Sequence, residues 1–120
     1  MQIISRVREI SPKSRIFLVT MPRGLDEVRN QKAQAVAALL HQIAEAVPFT
    51  YVIDLNRYAP VYDAEFRKHF YLGGHLNASG YLLTAKMIAS YIDYIIRNNH
   101  EDFCQIGFVG TPFHNINHKW

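Results

Sequence analysis

The sequence of 120 residues has one cysteine, Cys104, and lacks any long apolar run. A single cysteine excludes an internal disulfide framework and is typical of a reducing compartment. No apolar stretch approaches the ~20 residues of a membrane-spanning helix, which argues against a membrane protein. The first residues also lack the basic-then-apolar layout of a secretion signal. We therefore expect a cytoplasmic protein.

Charge of one sign is not concentrated anywhere in the chain. Lys and Arg number 13 against 10 acidic residues, for a formal charge of +3, and the basic residues are scattered. This pattern argues against nucleic-acid binding. There is no low-complexity tract, and a hydrophobic content of 49% is enough for one core. We predict a single domain over residues 1–120, with an irregular tail over residues 111–120.

Hydrophobic spacing predicts alternating helices and strands. A helical pattern ends at Ser11-Pro12, and two apolar runs, Arg15–Thr20 and Phe49–Leu55, are typical of strands covered on both faces. Between them, residues 26–47 have the spacing of a long amphipathic helix. This order predicts a right-handed crossover between two parallel strands.

Further elements are predicted downstream: a short helix from Asp63 to Phe70, a long helix after Asn77, and a short edge strand from Phe103 to Val109. In open parallel sheets, ligands bind beyond the carboxyl ends of the strands. We expect the loops that follow the two strands, and the segment leading to His75, to lie at that edge.

The segment Tyr71–Tyr81 (YLGGHLNASGY) carries the clearest functional signal. Its glycine pair lets the backbone turn, and Asn77 is a favourable N-cap for the following helix. The pattern therefore predicts His75 on a short loop supported by a packed helix. Because histidine titrates near neutrality, His75 is a candidate general base. The alternative is a loop histidine that makes only local hydrogen bonds.

The residues Gly74–Tyr81, followed by a long C-terminal helix, resemble the last block of the SGNH/GDSL hydrolase family. The resemblance covers roughly residues 1–98 and the C-terminal half of such a domain. It implies a three-layer α/β/α, flavodoxin-like fold, of which this chain is the C-terminal portion with a short parallel sheet. Leu72 stands where the family has an aspartate, and the chain contains no Gly-Asp-Ser and no Gly-x-Asn-Asp block.

The resemblance implies an ester or acyl hydrolase in which His75 is the general base. Asp63 is a possible orienting acid for His75, and we predict Arg23, Gly74 and Asn77 as substrate-binding residues. The substrate implied is a small-molecule ester or an acylated carbohydrate. The nucleophile and the oxyanion hole would come from residues outside this sequence. The alternative is a non-catalytic interaction module, or a truncated relic of the same fold.

We expect no cofactor and no metal. His114 and His118 have the spacing of a helical metal-binding pair, but the residues between them make a poor helix, and no cysteine or acid pair completes a site. Asp54, at a strand end, is expected to tie down a neighbouring loop. Because two or three strands leave an exposed edge, we expect a homo-oligomer or a partner that completes the sheet.

Overall fold

Helices and strands alternate along the part of the chain that the computed structural model describes, residues 2–104. The predicted mixed α/β class is confirmed, and no helix in this part is long and apolar enough to cross a membrane. In chain order the elements are α1 (Gln2–Ile10), β1 (Ile16–Val19), α2 (Glu27–Ala46), β2 (Thr50–Ile53), α3 (Leu55–Tyr58), α4 (Ala64–Phe70), β3 (Tyr71–Leu72), β4 (His75–Leu76), α5 (Ala78–Asn98) and α6 (His100–Phe103).

The strands β1 and β2 pair in parallel, in a register that runs from Ile16 opposite Thr50 to Val19 opposite Ile53. The predicted strand, helix and parallel strand are thus confirmed. Strand β2 is largely buried, as expected. Strand β1 is only half-buried and the side chain of Val19 is exposed, so the predicted coverage of both faces is wrong for β1. Within residues 2–104, β1 has a neighbouring strand on one side only.

The core lies between β2 and α5. Ile53, the most deeply buried large side chain, packs with Leu55, Ala59 and Ile95. Val52 is buried on the opposite face of β2, because successive strand residues point to opposite sides. Helix α2 also packs against β2. Strand β2 is therefore covered on both faces.

Side-chain caps fix where the helices begin. Asp26 accepts hydrogen bonds from the N–H groups at the start of α2, and Asp63 does the same for α4. Asn77 caps α5 through Gly80 N–H at 2.8 Å and donates its amide to the carbonyl of His69 at 3.0 Å. Asn77 thus joins the end of α4 to the start of α5. The predicted helices after Asp63 and Asn77 are both confirmed.

Between α4 and α5 the chain forms a tight antiparallel hairpin. Strands β3 and β4 pair Tyr71 with Leu76 and Leu72 with His75. Gly73 occupies the turn with φ of 65°, a conformation that glycine adopts without a steric penalty. The predicted loop is therefore a hairpin, and its glycine pair makes the turn.

Two predicted boundaries change. The second strand ends at Ile53 rather than Leu55, because Asp54 caps a short helix, α3, that begins at Leu55. Phe103 ends helix α6 instead of beginning a strand, because its ring packs against Phe17 and Tyr51 of the sheet. Residues 105–109 of that predicted strand, the histidines at 114 and 118, and the tail 111–120 lie outside the described residues.

Substitution of Gly80 tests how closely the hairpin packs on α5. A Cβ atom at this buried glycine would overlap the carbonyl oxygen of Phe70 and lie 2.9 Å from Leu76 Cδ2. We therefore expect Gly80→Ala to lower the free energy of unfolding by ~1–3 kcal/mol, although alanine favours helix. Urea denaturation measures the change. Gly74→Ala is the matched control, since a Cβ there meets open space. Equal stability of the two variants would contradict this packing.

Candidate functional site

His75 lies exposed on β4, in the short hairpin that β3 and β4 form apart from the parallel pair. The preceding residue, Gly74, lines a cavity of about 470 Å³ together with Met21 and Pro22 from the loop after β1. That loop is held in place because Tyr62 N–H donates to the carbonyl of Arg23 at 2.7 Å. The hairpin and the loop after the first strand therefore meet at one cavity, as the sequence predicts.

The predicted orienting acid is not brought to His75. Asp63 lies at the start of α4, where its carboxylate accepts the Phe66 N–H at 3.0 Å, whereas the hairpin follows the other end of that helix. Leu72, opposite His75 in the hairpin, is exposed and apolar. Within residues 2–104 the His75 ring makes no hydrogen bond. No group in the described part of the chain therefore orients this imidazole.

Two of the three predicted substrate-binding residues, Gly74 and Asn77, lie in the hairpin or directly after it. Gly74 lines the cavity beside the loop after β1. Asn77 already uses its side-chain oxygen and nitrogen to cap α5 and to bind His69. Arg23 instead lines a second cleft of about 440 Å³, on the side of α2. We call this second space the His41 cleft; it is lined by Arg23, Gln34, Ala37, Ala38, His41, Asp54, Asn56 and Arg57.

Asp54 forms the floor of the His41 cleft and is only 5% exposed. One carboxylate oxygen accepts the Thr20 hydroxyl at 3.0 Å and Arg57 N–H at 3.2 Å, and the other lies 2.9 Å from His41 Nε2. Burial opposes ionisation, but these hydrogen bonds outweigh it and hold the pKa of Asp54 below its ordinary value. The expectation that Asp54 ties down a loop is confirmed, since Thr20 leads into the loop after β1.

An ionised Asp54 requires a proton on Nε2 of His41, the ring nitrogen that faces it. The carboxylate can only accept, so His41 Nε2–H is the donor, and Nδ1 is left for other partners. The His41 side chain is 49% exposed. A buried carboxylate that orients a partly exposed imidazole is an arrangement that acid–base sites use. The structure thus gives His41 the acid that His75 lacks.

The pairing of His41 with Asp54 has only a faint signal in the sequence. His41 follows Ala37 by one helical turn, and Ala37 is buried, so both lie on the face of α2 turned toward the strands. This spacing of four residues on one helix face is visible in the sequence. The contact also depends on how far α2 runs along β2 before the chain turns, which the sequence pattern does not give.

Comparisons with protein-family models, with curated proteins and with solved structures found no match. Within residues 2–104, no group of three or more potential ligand side chains is arranged to hold a metal ion. The two histidines and the loop after β1 are therefore interpreted from their own geometry.

Replacement of Asp54 tests whether its ionised form stabilises the fold. A lowered pKa means that this stabilisation is present above the unfolded-state value of about 3.9 and is lost as pH falls through the folded value. We expect Asp54→Asn to lower the free energy of unfolding at neutral pH by ~1–3 kcal/mol. The deficit should shrink as the pH falls through the folded-state pKa, and urea denaturation across this range measures it.

The matched control is Asp93→Asn, which removes an exposed carboxylate 2.9 Å from Arg97 on α5. Exposed pairs of this kind contribute little, so we expect a change below about 1 kcal/mol. A deficit for Asp54→Asn that is the same at acid and neutral pH would contradict the role of the charge.

Proposed function

We propose that this chain is the C-terminal portion of an SGNH-type hydrolase of ester or acyl bonds, with His75 as the general base. The observation that carries the proposal is the position of His75: it is exposed on a short hairpin, just before a long capped helix. Its neighbour Gly74 shares a cavity with the loop after β1. An exposed proton acceptor next to such a cavity suits acyl-transfer chemistry.

The wider architecture supports the same proposal. A parallel pair joined by a helix, with a further long helix packed on β2, is a fragment that a three-layer flavodoxin-like domain would contain. We assign this finer fold to the chain as part of the proposal. The single cysteine fits a reducing, cytoplasmic location.

The proposed chemistry divides between this chain and residues outside it. His75 would take the proton from a serine nucleophile as the serine attacks the ester carbonyl, and would return that proton to the leaving alcohol. The serine and the oxyanion donors would come from residues outside this sequence. Because Asp63 is engaged at α4, the group that orients His75 would come with them. An oxyanion hole stabilises the transition state even where no acid supports the histidine.

The substrate proposed is a small ester or an acylated carbohydrate. Gly74 would form part of the pocket wall, where the absence of a side chain leaves room beside the cavity. Asn77 would contribute chiefly by holding the hairpin against α5. Arg23 would face an anionic part of the substrate from the neighbouring cleft.

A second candidate is a non-catalytic interaction module, a relic that keeps the fold and completes a sheet with another chain. Its support is the one-sided pairing of β1 within the described residues, together with exposed apolar side chains nearby. Val19 on β1 is 47% exposed, and Val36 and Leu39 on α2 are also exposed. An edge of this kind invites pairing with a second copy or with a partner strand.

The hydrolase proposal is tested by hydrolysis of p-nitrophenyl acetate, with the protein expressed from its natural reading frame. Loss of a general base costs roughly 10²- to 10⁴-fold, so we expect His75→Ala to lower kcat/KM by that factor. His69→Ala is the matched control, because His69 is an exposed histidine on α4 whose ring hydrogen-bonds to Glu65 at 3.3 Å. This control should retain its activity.

Three other results separate the alternatives. Full activity in His75→Ala would contradict the proposed base. Loss of activity in His41→Ala, with full activity in His75→Ala, would show that the general base is His41, the histidine that has a carboxylate partner. A folded protein with no hydrolysis at all would favour the interaction module.

A further inference from the structure

The His41 cleft carries a second arginine, Arg57, besides the Arg23 that the proposed hydrolysis uses. Arg23 and Arg57 both line it. Neither arginine takes part in the ion pairs formed within residues 2–104. The Arg57 guanidinium instead lies over the ring of Tyr58, 5.3 Å from its centroid. Two arginine residues thus line one polar cleft, and neither has a carboxylate partner in the described part of the chain.

Asp54 does not neutralise these arginine side chains. It is the one acidic side chain lining the cleft, and its oxygens are occupied by the Thr20 hydroxyl, the main-chain N–H of Arg57 and the His41 ring. Its oxygens are therefore engaged with groups other than the two guanidinium groups. Two guanidinium groups against one buried carboxylate leave the cleft electropositive even with a neutral imidazole.

The framework of the cleft is rigid, which makes it a formed site rather than a patch of surface charge. Asn56 is buried, its N–H donates to Thr20 Oγ1 at 2.8 Å, and its side chain donates to the Met21 carbonyl at 3.1 Å. These bonds join the loop that carries Arg23 to the helix that carries Arg57. The main-chain positions of the two arginines are therefore fixed before any ligand binds.

We propose that the His41 cleft binds a phosphate group, held by the guanidinium forks of Arg23 and Arg57. Guanidinium groups bind phosphate oxygens in pairs, through parallel hydrogen bonds. A phosphate monoester carries a charge of about −1.5 to −2 at neutral pH, which matches two arginines. A carboxylate has a single charge and would leave one guanidinium unpaired. The ligand class is thus a small phosphorylated molecule, with inorganic phosphate as the simplest member.

This inference does not depend on hydrolysis, since it uses neither His75 nor any other group of the hairpin. If both proposals hold, Arg23 and Arg57 select a phosphorylated substrate or respond to a phosphorylated effector. Phosphate binding is therefore also measured with the His75→Ala variant. Wild-type affinity in this variant would show that the phosphate site does not depend on the hydrolase proposal, so that either proposal can fail without the other.

The test is a titration of the protein with inorganic phosphate at low ionic strength, followed by NMR through the ring signals of His41. We expect saturable shifts at His41. A hydrogen bond to a charged group is worth about 1.5–3 kcal/mol, so Arg23→Gln and Arg57→Gln should each weaken binding about tenfold to hundredfold. The matched control is Arg29→Gln, which removes an arginine from α2 that lies outside the cleft. It should change the affinity by less than about twofold.

Three results would overturn the proposal. The first is the absence of saturable shifts at His41 in the folded wild-type protein. The second is equal weakening by Arg29→Gln and Arg23→Gln, which would show general charge attraction. The third is competition by acetate as strong as that of phosphate, which would show a carboxylate site. Arg23 is exposed, so Arg23→Gln should fold normally, and circular dichroism verifies this.

Discussion

A buried carboxylate, Asp54, joins the carboxyl ends of the two parallel strands. It accepts a hydrogen bond from the hydroxyl of Thr20, which directly follows the first strand, and one from the N–H of Arg57 in the helix after the second. Thr20 Oγ1 in turn accepts Asn56 N–H, and the Asn56 amide reaches the Met21 carbonyl. Burying a charge is costly unless it is fully hydrogen-bonded, and here both oxygens are satisfied. This network joins the segments that follow the two parallel strands.

The two histidines have complementary properties. His75 is exposed on a short hairpin whose turn shares a cavity with the loop after β1, but no acid contacts it in the described part of the chain. His41 has a buried carboxylate partner and lines a cleft together with two arginines. The arrangement at His75 suits proton transfer with a nucleophile that residues outside this sequence would supply. The arrangement at His41 suits the binding of an anion. The loop after β1 borders both spaces.

The sequence predicts the helices best, because periodicity and caps at Asp26, Asp63 and Asn77 act locally. The parallel pair and its connecting helix are also predictable, since strand-forming runs flank a long amphipathic segment. The exposure of β1 was not predictable, because a continuous apolar run does not reveal how many neighbouring strands a strand has. Helix α3 was hidden because Leu55 extends the apolar run. The contact of His41 with Asp54 joins distant elements, and only the packing of α2 on β2 brings it about.

Amide hydrogen exchange at Asn56 and Arg57 tests the central claim most directly, because these N–H groups are the donors to Thr20 Oγ1 and Asp54. If the network forms as described, both amides should exchange as slowly as those between the two paired strands, since opening either bond would require the edge of the sheet to unfold. Exchange as fast as that of the exposed turn at Gly74 would show that the buried carboxylate does not hold the strand ends together.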